Sequence, residues 1–389
     1  MYPNLYYAFR DLFGWNLPGL RFINSFGFFV ALAFLGAAWV LTVELRRKSK
    51  LGLLQYEETK IIVGKPAGFG ELAINFLMGF LLGYKIIGAF VIGPEDPQSF
   101  IFSDQGSWPV GILAGLFFAG WKWVEKNKQK LDKPEERTIR IWPQDRVGDF
   151  VVFAALFGFG GAKIFHNLEN WDDFVKDPIG ALLSFSGLTF YGGLICAAIA
   201  ILWYAGKHKI SKRHLCDATA PGLMLAYAVG RLGCQVAGDG DWGIASTHPK
   251  PFSWLPDGFW SYTYPHNVIN YGEAIPGCTG PYCSQLPVGV YPTPLYESII
   301  CFVLFGILWY FRKRINVAGR IFALYLVLNG FERFFIEKIR VNTKYSIFGF
   351  HPTQAEIIST LLVLSGIAIW IWMGKLTPPA ASPRTADLT

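Results

Sequence analysis

The chain has 389 residues, of which 52% are hydrophobic, 17% are aromatic and only 16% are charged. A soluble domain carries charge on about a quarter of its residues, so this composition excludes an ordinary water-soluble enzyme. The formal net charge of +7 is compatible with nucleic-acid binding, but the basic residues lie between apolar segments rather than in one patch. Basic loops at a membrane surface explain the charge better, and no nucleic-acid partner is predicted.

Nine apolar segments are each long enough to cross the hydrocarbon core of a bilayer, which needs about 20 residues. In chain order they cover residues 22–45, 70–93, 107–124, 149–166, 188–205, 218–237, 295–311, 321–340 and 353–373. A bundle of such helices shares one core, so the sequence predicts an all-α, polytopic membrane protein with a single domain over residues 1–389. Seven or eleven spans are the alternatives, and they fit the segments less well.

Lys and Arg are distributed unequally between the alternate connections of these segments. One set of connections holds 23 of these residues, whereas the other set holds 5. The basic set consists of residues 46–69, 125–148, 206–216, 312–320 and 374–389. Because positive residues in short loops accumulate on the cytoplasmic side, the N-terminus is predicted outside and the C-terminus inside.

The longest connection, residues 238–294, lies on the predicted outer side and is rich in Pro, Gly, Trp and Tyr. Trp242, Trp254 and Trp260 provide apolar anchors, so this connection is predicted to fold as a structured periplasmic cap. It also contains the sequence CTGPYC at 278–283. In an oxidising compartment Cys278 and Cys283 are candidates for a local disulfide, and two free thiols are the alternative.

Three arginines lie inside apolar segments, where a charge is costly unless it faces a partner or a wet cavity, and one of them, Arg340, lies at the end of its segment. Arg231 lies between glycines in AYAVGRLGCQVAGDGDWG. Arg333 lies in NGFERFFIEKIR, where Asn329 and Glu337 share its helix face. Glu337 can neutralise one arginine, which leaves the other for an external anion; an internal ion pair is the alternative. Because guanidinium groups hold phosphate oxygens bidentately, the pair predicts a site for an anionic lipid head group.

Two further motifs bring polar groups to the same predicted outer ends. The motif YPTPLYES at 291–298 opens the seventh segment and carries Glu297, although its tyrosines are also typical of an interfacial aromatic belt. The motif SGLTFYGGL at 186–194 opens the fifth segment with Tyr191 and the pair Gly192-Gly193. Glycines at such a position permit close approach of a backbone or a ligand.

Taken in order, these motifs resemble those of the bacterial prolipoprotein diacylglyceryl transferases. The similarity runs through residues 25–41, 160–174, 187–194, 217–243, 291–298, 319–340 and 351–359. Its most specific part is Gly-Arg-Leu-Gly with the downstream Gly, acid, Trp and Gly. The similarity leaves out residues near 50–130, which implies a seven-span core with an inserted transmembrane pair over 67–128. Residues 70–124 of this pair would offer a surface for a membrane-protein partner.

The resemblance implies an enzyme of the bacterial cytoplasmic membrane that acts in lipoprotein biogenesis. Such an enzyme moves the diacylglyceryl group of phosphatidylglycerol onto the lipobox cysteine of a preprolipoprotein and releases glycerol phosphate. It implies that Arg231 and Arg333 hold the lipid phosphate, with Glu337 and Arg340 as charge partners, and that Asp239 stands where the family usually has Glu. No metal or cofactor is predicted.

Four positions depart from the family pattern. Tyr191 replaces a His that is proposed to handle the thiol proton, and Cys234 replaces an Asn. Phe26 and Asn329 each replace a Tyr. The predicted catalytic residues are Arg231, Arg333 and Tyr191. The predicted substrate-binding residues are Phe26, Gly192, Gly193, Cys234, Asp239, Asn329, Glu337 and Arg340. Because the departures remove acid-base groups, the alternative is an inactive homologue that binds lipid or a membrane-protein partner within a larger envelope assembly. A transporter is the third alternative.

Overall fold

The computed structural model describes residues 1–92, 100, 103, 105–183, 189–342, 345 and 351–376. Most of these residues are helical, and each of the nine apolar segments coincides with a long helix. The helices are α1 (Leu5–Phe13), α2 (Ser25–Lys50), α3 (Phe69–Ile92), α4 (Trp108–Lys128), α5 (Val147–Glu169), α6 (Trp171–Lys176), α7 (Pro178–Leu183), α8 (Phe190–Lys207), α9 (Lys212–Ala237), α10 (Thr293–Phe311), α11 (Arg320–Ile336) and α12 (Gln354–Leu376).

Five helical segments in the described part of the chain are long and apolar enough to cross a membrane. They are Ser25–Lys50, Phe69–Ile92, Pro143–Glu169, Thr293–Phe311 and Gln354–Leu376. A sixth apolar helix, Tyr191–Lys207, is shorter. The other long helices, α4, α9 and α11, are not among these segments, and α9 and α11 contain the arginines that the sequence singled out. The number of spans and their orientation therefore stay predictions.

Two small antiparallel sheets correct the expectation of an all-α chain. Strands β1 (Glu57–Val63) and β2 (Glu135–Ile141) pair over their whole length, with Glu57 opposite Ile141. Strands β3 (Glu273–Ala274) and β4 (Ser284–Gln285) form a second, two-residue ladder. The β1 and β2 sequences mix charged residues with Thr, Ile and Val, a composition typical of exposed strands. Both strands lie in connections that the hydropathy pattern predicts only as polar loops.

Helix α9 lies at the centre of the bundle and packs on α2 through small residues. A Cβ atom at Gly222 would lie 3.1 Å from the carbonyl oxygen of Ala37, so the glycine lets the two backbones approach closely. On one side of α9, buried residues of α2, α5 and α8 pack around Leu215. On its other side, buried residues of α10 and α11 pack around Met224.

Helices α3 and α4 pack on each other through opposed glycines. A Cβ atom at Gly79 would lie 2.7 Å from the carbonyl oxygen of Ala114, and one at Gly83 would lie 2.6 Å from that of Val110. The β1–β2 ladder joins the chain segments that enter and leave this pair. The pair is thus a helical hairpin whose two ends meet at one sheet.

Residues 238–294 fold around a small core of their own. Tyr264, Leu286 and Val290 are buried there, and the side chain of fully buried Asn267 donates to the carbonyl oxygens of Tyr264 and Ser284. The segment contains a disulfide between Cys278 and Cys283. Trp254, expected as an anchor, is instead 75% exposed and stacks on Phe252.

Candidate active site

A glycine turn at the end of α9 folds the chain back toward Arg231. Gly238 has φ +65° and Gly240 has φ +102°, and this left-handed backbone favours glycine over other residues. The turn carries Asp239 and Asp241 back alongside the last turns of α9. Asp239 also accepts a hydrogen bond from the backbone N–H of Asp241 at 3.3 Å.

The segment after Asp241 is clamped between the start of α10 and the end of α11. The Gly243 N–H donates to the carbonyl oxygen of Tyr291, and the Ile244 N–H donates to that of Ile339, both at 2.9 Å. A Cβ atom at Gly243 would lie only 2.6 Å from the carbonyl oxygen of Ile339, so a larger residue would push the segments apart. This clamp places Asp241 between arginines of α9 and of the α11 end.

Glu297 is the anchor of a cluster of charged side chains at this point. Its carboxylate is fully buried and pairs with Arg231, with Arg333 at 3.1 Å and with Arg340 at 3.2 Å. A buried carboxylate is stable only when its charge is compensated, and here three guanidinium groups from two helices and a loop do so.

Asp241 and Glu337 complete the cluster. Asp241 pairs with Arg231 and, at 2.6 Å, with Arg340, while Glu337 pairs with Arg333 at 3.1 Å. We call this set the arginine cluster: Arg231, Arg333, Arg340, Asp241, Glu297 and Glu337. Its three arginines and three carboxylates balance, so the expectation that one arginine lacks an internal partner is wrong.

The members of the arginine cluster differ in their access to solvent or ligand. The side chains of Arg231 and Arg333 are 16% and 19% exposed, whereas Glu297 and Glu337 are fully buried. Asp241 is the most exposed member at 37%. Burial raises the pKa of Asp241, but the charges of Arg231 and Arg340 outweigh this and lower it overall. The accessible side of the cluster therefore presents two guanidinium groups and one ionised carboxylate.

Asp239 and Cys234 lie together beside Arg231. The Cys234 sulfur and the carboxylate oxygens of Asp239 and Asp241 all lie within 4.8 Å of one another, and an Arg231 nitrogen lies 3.8 Å from that sulfur. Among the described residues, Asp239 takes part in no salt bridge, in contrast to Asp241. Burial is the main cause that raises the pKa of Asp239.

The motif at the start of α8 has two different roles. Tyr191 lies within electrostatic range of Arg333, Glu337 and Arg231, so the structure brings it beside the arginine cluster. Gly192 and Gly193 instead face α5: a Cβ atom at Gly192 would overlap Phe165, and one at Gly193 would lie 2.7 Å from a backbone oxygen of α5. The expectation that these glycines line the substrate site needs correction, because they serve helix packing. Residues 186–188 of the motif lie outside the described part.

Phe26 and Asn329 lie at the edge of the site. The Phe26 ring is 41% exposed and would be 3.4 Å from a Cβ atom at Gly233, next to Cys234. Asn329 is half-buried one turn before Arg333 on α11. Neither contributes to the ion pairs.

Sequence reasoning missed four features that the structure adds. Asp241 lies two residues after Asp239, the acid that the family motif indicates. Glu297 joins three arginines only because of long-range packing. Tyr227, one turn before Arg231, stacks under it with 5.3 Å between the guanidinium carbon and the ring centre. Glu332 is buried, and neither of its carboxyl oxygens has a hydrogen-bond partner in the described structure. The i,i+4 spacing of Tyr227 and Arg231 was the one usable signal.

These features define a multi-pass membrane protein whose polar site is built where α9, α10 and α11 meet. A family model described as prolipoprotein diacylglyceryl transferase matches residues 107–372. The chain belongs to the prolipoprotein diacylglyceryl transferase family, as its sequence motifs predict.

Individual relatives agree with this assignment. A relative from Leptospira interrogans is 30% identical over 331 residues, which cover 71% of this chain and 92% of the relative. A relative from Corynebacterium efficiens is 27% identical, and the match covers 70% of this chain and 81% of the relative. A relative from Vibrio vulnificus is 28% identical, and the match covers 68% of this chain and 85% of the relative. All three carry the name phosphatidylglycerol–prolipoprotein diacylglyceryl transferase.

Proposed function

We propose that this protein transfers the diacylglyceryl group of phosphatidylglycerol to the lipobox cysteine of a preprolipoprotein. The observation that carries the proposal is the arginine cluster, in which Glu297 holds three guanidinium groups together in an apolar bundle. The names of the family and of its relatives supply the substrates. No observation favours the inactive homologue.

The reaction is a displacement at the glycerol carbon that carries the phosphate ester. The substrate sulfur, as a thiolate, forms the new S–C bond while the C–O bond to phosphate breaks. The electron pair of that bond leaves on the phosphate oxygen, and glycerol phosphate is the product. Arg231 and Arg333 would stabilise the charge that grows on this leaving group, in a site where preorganised donors act strongly.

The balanced charge of the arginine cluster requires that the lipid phosphate replaces an internal partner. Asp241 is the partner that we expect to yield, because it is the most exposed carboxylate and lies on a loop rather than a helix. Its displacement would free donors of Arg231 and Arg340 for the phosphate. Glu297, fully buried behind the arginines, would keep them in place.

A direct assay tests this function. The purified protein is mixed with phosphatidylglycerol vesicles and a lipobox peptide, and the thioether peptide and glycerol phosphate are measured. We expect both products in equal amounts, and complementation of a strain that lacks an authentic transferase. Lipid binding without any thioether product would overturn the proposal in favour of a non-catalytic protein.

We also propose nine spans in a bacterial cytoplasmic membrane, with the N-terminus and the 238–294 cap outside and the C-terminus inside. The bias of 23 against 5 basic residues supports this orientation, and the disulfide in the cap suits an oxidising compartment. A membrane-impermeant thiol reagent should label Lys250→Cys in intact cells. It should label Lys313→Cys only after lysis, and the reverse pattern would invert the topology.

The α3–α4 hairpin is the proposed insertion and the proposed surface for a membrane-protein partner. Because β1 and β2 are antiparallel with Val63 opposite Glu135, a tight turn can replace residues 64–134 without changing the ladder. We expect this deletion to keep thioether formation and to lose a partner that co-purifies with the full chain. Loss of transfer in a folded deletion protein would contradict the assignment as an insertion.

A further inference from the structure

Two described carboxylates at the site are not paired with an arginine: Asp239, which is half-buried, and Glu332, which is buried. In the described part of the chain, Asp241, Glu297 and Glu337 each form ion pairs, whereas Asp239 forms none. A carboxylate that is held by guanidinium groups binds a proton weakly, since protonation would break those pairs. Glu332 is only 6% exposed, so a second thiol has no access to it. Asp239 is therefore the accessible acid of the site that is best able to accept a proton.

The surroundings of Asp239 already accommodate a thiol. Cys234, one turn before the end of α9, places its sulfur between the Asp239 carboxylate and an Arg231 nitrogen that lies 3.8 Å away. Asp239 is itself only half-buried, as is Gly240 beside it, so a second thiol can approach it. A substrate thiol that reaches a phosphate on Arg231 thus comes within range of Asp239.

We propose that Asp239 is the catalytic base that accepts the proton of the substrate thiol, in place of the imidazole that the family has at position 191. The S–H bond breaks and its proton moves to an Asp239 carboxylate oxygen, while the sulfur electron pair forms the S–C bond. The proton then leaves with the product or to water. This inference rests on the proposed function.

The electrostatics of the turn favour this role. Burial raises the pKa of Asp239, contact with Cys234 lowers it, and the neighbouring Asp241 charge raises it. The net rise brings the carboxyl closer to an ordinary thiol, whose pKa is about 8.5, and so makes the transfer less unfavourable. The other groups that face Asp239 are Arg231, whose charge lowers the pKa, and Tyr264 of the cap.

Tyr191 is the competing candidate and lies in a different part of the site. The charged side chains with the strongest electrostatic effect on Tyr191 are Arg333 and Glu337. The side chains with the strongest effect on Asp239 are Cys234 and Asp241. A phenol also needs to lose its own proton before it can accept another. Substitutions at the two positions therefore separate the two assignments.

The test is the pH dependence of kcat/KM for thioether formation, measured from about pH 6 to about pH 10 with phosphatidylglycerol vesicles and a lipobox peptide. Asp239→Asn should lower kcat/KM by about 10² to 10⁴-fold at neutral pH, the range of a general base. The deficit should shrink as the pH rises through the thiol pKa of about 8.5, because the substrate then ionises without help. Asp239→Glu should restore most of the activity.

Asp241→Asn is the matched control, since it alters an arginine partner two residues away. Its loss of kcat/KM should shrink much less with rising pH than that of Asp239→Asn, because Asp241 acts on the Asp239 pKa but accepts no proton itself. Phosphatidylglycerol binding by Asp239→Asn should equal that of the parent protein, which shows that the site is folded. If Asp239→Asn does not fold, Asp239→Ser, which introduces a smaller neutral side chain, replaces it in the same measurement.

The possible failures are distinguishable. A deficit in Asp239→Asn that shrinks with rising pH no more than that of the Asp241→Asn control would overturn the base assignment and leave Asp239 as a positioning residue. Full activity of Asp239→Asn at neutral pH would overturn any role in the reaction. Absence of thioether product from the parent protein itself would instead overturn the proposed function.

Discussion

Helix α9 carries one cluster of charged side chains near each end, about 21 Å apart along the helix axis. At its C-terminal end lies the arginine cluster. At its N-terminal end, Asp217 pairs with Lys48 at 3.8 Å, beside a pair between Glu44 of α2 and Arg312. We call the latter set, Lys48, Asp217, Glu44 and Arg312, the inner cluster.

The two clusters use similar groups but differ in access and in how the carboxylates are satisfied. Every side chain of the inner cluster is at most 7% exposed. Asp217 also accepts the backbone N–H groups of Gly319 and Phe322, at 2.7 and 3.0 Å, and so caps the start of α11. The arginine cluster keeps Arg231, Arg333 and Asp241 partly exposed. Burial of charge alone therefore does not mark a functional site. In the arginine cluster two partly exposed arginines share the buried Glu297, whereas at Glu44 only the adjoining Arg47 is partly exposed.

The largest effect is expected at Glu297, which pairs with three arginines, whereas Glu44 of the inner cluster pairs with two. Glu297→Gln leaves three buried guanidinium groups with two carboxylates, and breaking a buried ion pair costs about 3 to 5 kcal/mol. Denaturant unfolding in detergent should show this loss, together with loss of thioether formation. Glu273→Gln, in the exposed strand β3, is the control and should change neither quantity.

Removal of a partner in the inner cluster should affect stability alone. Lys48→Met leaves Asp217 buried without its cation, so we expect a loss of about 3 to 5 kcal/mol in the free energy of unfolding. The kcat of the protein that remains folded should equal that of the parent. Exposed Lys313→Met should change stability by less than about 0.5 kcal/mol. A lower kcat in folded Lys48→Met would show that the clusters are not functionally separate.

Arg231→Ala should lower kcat for transfer by about 10² to 10³-fold, the usual effect of removing one donor to a developing negative charge. The rate of thioether formation with saturating lipid measures this effect. The control is Arg213→Ala, an exposed arginine near the other end of α9, which should retain parental kcat. Equal rates of thioether formation for Arg231→Ala and Arg213→Ala would show that Arg231 does not act in the reaction.

The disulfide of the cap should contribute less and only locally. It closes a loop with a sequence separation of 5, for which chain entropy gives about 2 kcal/mol. The double variant Cys278→Ser/Cys283→Ser should speed hydrogen exchange at Ile275 and its neighbours without altering exchange in α9. Unchanged exchange in the cap would show that the bond adds no stability there.

The smallest effect is expected at Tyr191. If Asp239 accepts the proton, Tyr191→Phe should change kcat/KM at most several-fold, because only a hydroxyl beside Arg333 is lost. A fall of about 10² or more, the lower bound for a general base, would return proton transfer to the phenol. Thioether formation at neutral pH decides between these outcomes.

Much of the fold and part of the site follow from local patterns in the sequence. Runs of apolar residues locate the nine long helices of the described part of the chain, because the length of an apolar helix reflects only its own composition. The family motifs point to Arg231, Arg333, Arg340 and Glu337, and the family model confirms the assignment to the transferases. The i,i+4 spacing alone predicts the pair of Arg333 with Glu337, which the structure contains at 3.1 Å.

The tertiary structure decided which partners the charges have. Arg340 and Asp241 lie 99 residues apart in sequence and meet only because a glycine turn and the Gly243 clamp bring their segments together. The same holds for β1 and β2, whose pairing spans the whole α3–α4 hairpin. Composition fixes that this chain enters a membrane, since hydrophobic transfer energies add residue by residue. Long-range contacts pair the three arginines of the arginine cluster with three carboxylates and leave Asp239 without an ion pair among the described residues. These contacts depend on how the helices pack.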